Sequence, residues 1–122
     1  MDELIKKLKY KTGRAALLHA PEGFTLGIEE EGKPEGKYDF LMLFVSSAKE
    51  VDERLPSAVA MLNGDAVFWI VYPKQSGSFK PDINRDSLFR LVEAKSGYRA
   101  VSNVAVDEKW SALRFRPKDL VK

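Results

Sequence analysis

The sequence predicts an α/β fold: a layered, mixed five-stranded sheet that ends in an antiparallel C-terminal hairpin. Three observations lead there. Ala66 to Tyr72, AVFWIVY, is an unbroken run of apolar residues, mostly β-branched or aromatic, and Asp39 to Val45, DFLMLFV, repeats the pattern. Neither run alternates with polar residues, so neither has a wet face, and both read as central strands covered on two sides, as in parallel sheets. Segments of helical spacing lie between such runs, and two further strand-like runs meet at a tight turn near the end.

Asp2 to Lys9 predicts a short amphipathic helix, with Leu4, Ile5 and Leu8 on one face and Lys6, Lys7 and Lys9 on the other. Tyr10 to Gly13 turn the chain, and Arg14 to His19 is a short buried strand. Ala20 to Tyr38 is glycine-rich and too broken for a full crossover helix; it supports one helical turn from Pro21. Glu29 to Lys37 is expected to be an exposed loop. After the second strand, Ser47 and Glu50 have the spacing of a capping box, and Ala48, Val51, Leu55, Ala58, Val59 and Leu62 continue at helical spacing. Pro56 predicts a kink or a break into two helices, and Asn63-Gly64 a left-handed stop.

Beyond the central strand, Pro73 to Ile83 is the loosest stretch. It leads into a helix over about Arg85 to Lys95, capped by Asn84 or Asp82 and closed by Gly97. Tyr98 to Val106 and Trp110 to Arg116 are two strands joined by Asp107-Glu108-Lys109.

The 122 residues make one α/β domain, 1–122, with an ordinary 44% hydrophobic and 31% charged content. Cysteine is absent, which removes disulfides, thiol catalysis and cysteine-based metal sites and fits a cytoplasmic setting. The N-terminus is acidic where a signal peptide is basic, and no long apolar segment follows, so neither export nor a membrane is expected. A net charge of +2 does not call for nucleic acid.

Four stretches, HAPEGF at His19 to Phe24, WIVYPK at Trp69 to Lys74, DIN at Asp82 to Asn84 and VDEKWSALRF at Val106 to Phe115, carry a resemblance. The chain resembles a bacterial family of short proteins, a domain of unknown function, that itself looks like a truncated class I S-adenosylmethionine-dependent methyltransferase. The resemblance implies a Rossmann-like strand order. The first three strands lie parallel and side by side, and the last inserts antiparallel between the third and fourth. Right-handed crossovers then put the two longer helices on one face. Only the N-terminal helix is left for the other face, which predicts a homodimer whose second copy closes the bare part.

A working methyltransferase needs a glycine-rich turn after its first strand and an acid ending its second to hold the ribose. Here the turn is His19-Ala20-Pro21-Glu22-Gly23, and the strands that would carry the acid are missing from the reading. No cofactor is expected.

His19, the one histidine, ends a parallel strand, where α/β sheets place their sites. It reads either as a general base or anion contact oriented by Glu22, or as a ring hydrogen-bonded at a strand end. One histidine without cysteine argues against a metal. Lys74 heads the loop with Ser76 and Ser78, and Asn84 opens the next helix; these four are candidates for holding a phosphate or carboxylate, with a plain surface lysine as the alternative. No phosphate-binding GxxxxGKS/T loop occurs, and no GxSxG nucleophile elbow accompanies Ser46 and Ser47 after the second strand, so Ser47 reads as a helix cap. Asp107, Glu108 and Trp110 read as turn and packing residues. Lys6, Lys7, Lys9, Lys11 and Arg14, and Arg114, Arg116, Lys118 and Lys122, are balanced by acids and read as solvated faces.

Two function classes follow. One is a non-catalytic binding or regulatory protein with a protein partner or small ligand. The other is a small enzyme acting on an anionic small molecule at the C-terminal ends of the parallel strands.

Overall fold

The structure is a computed structural model that describes residues 8, 15–19, 30–31, 36–74, 83–106 and 108–117. In chain order its elements are β1 (Ala15–Leu18), β2 (Glu30–Glu31), β3 (Tyr38–Phe44), α1 (Ala48–Ala60), β4 (Leu62–Pro73), α2 (Arg85–Lys95), β5 (Tyr98–Ala105) and β6 (Trp110–Pro117). The strands form one sheet in the order β2-β1-β3-β4-β6-β5. β1, β3 and β4 run parallel as neighbours, and β6 inserts antiparallel between β4 and β5. The five long strands therefore take the expected order.

β2 was not expected. Glu30 pairs with Ala15 and Glu31 with Ala16, in a stretch that reads as exposed loop. Two rungs suffice to give backbone partners to the outer edge of β1, a need that side-chain periodicity does not register. The same pairing puts β2, a two-residue strand, at the edge of the sheet beside β1.

Both central strands are covered on two sides: Leu41, Met42, Leu43, Phe68, Trp69, Ile70 and Val71 are all 0% exposed. On the first face, Val51, Leu55 and Ala58 of α1 and Leu88 and Val92 of α2 meet Leu41, Leu43, Phe68, Ile70 and Phe115. Both helices share that face, as expected. On the second face, Phe40, Met42, Phe44, Trp69, Val71, Trp110 and Ala112 form one cluster with Leu8, and Trp69 Nε1 donates to the Leu8 carbonyl at 2.7 Å. None of these residues is more than 9% exposed within one copy of the chain. The second face is not bare, so burying it does not require a second copy.

α1 corrects two expectations. It runs unbroken through Pro56, which faces solvent, while Val51, Leu55 and Ala58 hold the buried face continuous. Its C-cap is Met61 at φ −94°, ψ 4°, whose amide donates to the Ala58 and Val59 carbonyls, and β4 begins at the next residue. Asn63-Gly64 is not a helix stop. It lies inside a bulged start of β4, where Tyr38 pairs with Leu62 and Phe40 already pairs with Val67. α2 matches its expected bounds, with Asn84 as N-cap, but it closes on Ser96 in extended conformation rather than on Gly97. Among the described residues no helix is long and apolar enough to cross a membrane.

Candidate functional site

The parallel strands end at one edge of the sheet, and α1 begins there. Ser47 caps α1 by accepting from the Glu50 amide at 3.2 Å, and Glu50 Oε1 reaches back to the Ser46 amide at 2.6 Å, one residue beyond a standard capping box. One turn on, Arg54 donates from Nη1 to the same Glu50 oxygen at 3.2 Å and to the Phe44 carbonyl at 3.0 Å. The spacing i, i+4 stacks Glu50 and Arg54 on one flank of the helix, over the end of β3. Both Arg54 bonds leave from Nη1, so Nε and Nη2 still carry donors.

Across this edge the hairpin supplies the opposite wall. The Lys74 amide donates to the Lys109 carbonyl at 2.8 Å, which ties the end of β4 to the hairpin turn. The Lys109 ammonium lies 5.5 Å from the Trp110 ring centre, and Trp110 meets Phe44 edge-on at 5.5 Å. Between the walls is an open cleft of about 460 Å³ lined by His19, Phe44, Ser46, Glu50, Arg54, Pro73, Lys109 and Trp110. A second cleft of about 450 Å³ shares His19 and Arg54 and continues along α1 past Glu53, Ser57 and Met61. The first cleft thus combines an apolar floor with two cations, one carboxylate and one imidazole, and the second adds the carboxylate of Glu53.

His19 follows β1 at φ 61°, in the left-handed region that costs a side-chain-bearing residue energy. Desolvation holds its imidazole below the ordinary value of 6.5, Arg54 adds to that shift, and Glu50 opposes it. At neutral pH the ring is uncharged, with one donor and one acceptor nitrogen.

Of the residues singled out in the sequence, His19 lines both clefts. Lys74 sits half-buried directly behind Pro73; the described lining takes Pro73 and Lys109 instead. Asn84 caps α2, its Oδ1 accepting from the Ser87 amide at 2.9 Å, away from the cleft lining. Glu22, Ser76 and Ser78 lie outside the described residues. Arg54, Glu50 and Lys109 were missed as site residues. The usable signal was Glu50-x-x-x-Arg54 in a helix that starts soon after a buried strand, which forces its first turns over the strand ends. Among the described residues no group of three histidine, cysteine or acidic side chains could hold a metal.

A parallel sheet with a terminal antiparallel insertion and a groove at its carboxyl edge defines a methyltransferase-like α/β protein. Solved structures agree at the level of the fold. A LepI variant in complex with SAH and a substrate analogue, LepI in complex with SAM, and a protein described as a pericyclic reaction enzyme each superpose with a TM-score of 0.56 at 16% identity. Each alignment covers 95% of this chain and 39% of the neighbour, so the chain spans about two fifths of their length. No family model matches the chain, and no curated protein matches it.

Proposed function

We propose that this chain is a non-catalytic binding protein that takes a small anionic ligand with an apolar body into the cleft at the carboxyl edge of its sheet. One observation carries the reading: Arg54 and Lys109 stand on opposite walls of a cleft floored by Phe44, Pro73 and Trp110. An anion entering there meets the remaining Arg54 donors and the Lys109 ammonium, while its apolar part covers the floor. Glu50 keeps Arg54 in place and lowers the net charge of the site, which suits a singly charged carboxylate better than a densely charged ligand.

Two of the structural neighbours are complexes with SAH or SAM. The turn after β1 does not fit that group. Backbone must pass close to the cofactor there, and the position holds His19 with its ring in the cleft rather than glycine. No step of the proposal runs through it. Nor does the proposal need a homodimer, because one copy buries both faces of the central sheet.

The test is a thermal-shift and calorimetric panel of carboxylates and phosphorylated metabolites, with S-adenosylmethionine included. The expected result is saturable binding of an aromatic or branched carboxylate that falls by about tenfold or more in Arg54→Gln, as loss of a charge-assisted contact does. Equal affinity in wild type and Arg54→Gln would remove this site. The enzyme reading has one observation in its favour: His19 lines both clefts, and a general base there would be the neutral form that its lowered proton affinity supplies. Turnover of a bound ligand that disappears in His19→Gln while binding persists would replace the binding-protein reading with the enzymatic one.

A further inference from the structure

Two residues of this chain sit where local physics argues against them, and both line one pocket. Pro56 stands inside α1, where proline is the least favourable residue. Gly97 follows the Ser96 cap of α2, yet its backbone is outside the left-handed region, and a Cβ added there would meet nothing within 4 Å. Neither the turn nor the packing asks for glycine at that position.

The pocket has a volume of about 250 Å³ and lies between α1 and the end of α2. Leu55, Pro56 and Val59 give it an apolar wall, and Gly97 borders it from the other helix. Asp52 and Lys95 tie the two helices together beside it, with Nζ 2.6 Å from Oδ1. At about 3.6 residues per turn, Asp52, Leu55, Pro56 and Val59 lie half a turn around α1 from Glu50, Arg54 and Ser57. The pocket and the cleft therefore occupy opposite flanks of the helix.

The lining selects a ligand class. Lys95 and Asp52 neutralise each other, which leaves no net charge to hold an ion. The Ser96 hydroxyl is already engaged, donating to the Val92 carbonyl at 2.8 Å and accepting from the Tyr98 amide at 3.2 Å. Pro56 opens a different position. It has no amide, so the Asp52 carbonyl four residues before it lacks its helical donor, and both residues line the pocket. The volume is larger than the roughly 150 Å³ cavity that takes benzene and smaller than the roughly 300 Å³ at which sites for drug-sized ligands begin. A molecule of one or two rings matches it. Phenol and indole chemistry joins such an apolar body to a single polar handle.

We propose that this pocket binds a small uncharged aromatic molecule with one O–H or N–H donor, which the Asp52 carbonyl accepts. Pro56 then supplies the acceptor and Gly97 leaves the room. No part of the inference depends on the cleft.

The experiment titrates the full chain with indole and, in a separate arm, with benzofuran, which has the same shape and no donor; amide shifts in NMR are the readout. Saturable shifts at Leu55, Ser96 and Gly97 are expected with indole, and benzofuran should bind about threefold or more weaker, the worth of one hydrogen bond. Pro56→Ala returns an amide to the Asp52 carbonyl, so it should erase the difference between the two ligands while the melting temperature does not fall. Gly97→Leu should weaken both by about tenfold or more, because its side chain takes up open space at the pocket. Four results each overturn the proposal: no saturable shift at these amides, benzofuran that binds wild type as tightly as indole, an indole preference that survives in Pro56→Ala, or a folded Gly97→Leu chain that binds both ligands as wild type does. None of these variants alters a residue of the cleft, so the outcome bears on this pocket alone.

Discussion

His19 is held between two opposing charges on one helix. Burial lowers its proton affinity most, Arg54 lowers it further, and Glu50, one turn before Arg54, raises it. Arg54→Gln should therefore raise the imidazole pKa and Glu50→Gln should lower it, both read from the ring proton shifts in an NMR titration. Identical titrations in the two variants would mean that the ion pair does not face the ring. The sign for stability follows. A histidine whose folded pKa is depressed binds fewer protons when folded than when unfolded, so its contribution is complete above the ordinary value of 6.5 and is lost as pH falls through the depressed folded value. Denaturant midpoints of wild type minus those of His19→Gln should drop over that window. At this scale the sequence was half legible. A lone histidine at a strand end signals an edge site by topology, whereas Glu50 and Arg54 at helical spacing look like any solvated ion pair until the helix is placed over the strand end.

The first helix shows how packing overrides a local rule. Pro56 removes one amide and crowds the preceding turn, which predicts a break, yet α1 runs from Ala48 to Ala60. Its buried stripe of Val51, Leu55 and Ala58 docks on the sheet across the proline, and the ring sits on the outer side. Helix periodicity reported the stripe correctly; what sequence could not weigh was docking energy against the lost hydrogen bond. Pro56→Ala should stabilise the chain, by up to about 3 kcal/mol on the scale of helix propensities. Unchanged or lower stability in urea would mean that the proline is accommodated without cost. The cap tests the same helix from its other end. Ser47→Ala removes the acceptor for the Glu50 amide and should cost about 1 kcal/mol. It should also loosen the Glu50–Arg54 arrangement, so the His19 titration should shift with it.

At the scale of the whole molecule, the second face of the sheet decides how many copies a stable particle needs. Its strands were legible as greasy on both sides, but what covers them was not, because a single short amphipathic segment is a weak signal for covering so many large side chains. The structure closes that face with Leu8 among the described residues, and the tie is specific: the indole nitrogen of Trp69 reaches the Leu8 carbonyl at 2.7 Å inside the cluster. Trp69→Phe keeps an aromatic ring but leaves a buried carbonyl without its donor, which should cost about 1–3 kcal/mol. If the N-terminal segment is the cover, that variant should gain protease sensitivity near Leu8 and begin to self-associate, since loosening the cover exposes Phe40, Met42 and Trp110 together. Wild type, with its cover in place, should give a mass by light scattering that does not change with concentration. A wild-type dimer that Trp69→Phe leaves intact would show that the copies meet elsewhere, and the exposed edge strand β5, with Val101 38% accessible, is then the first surface to mutate.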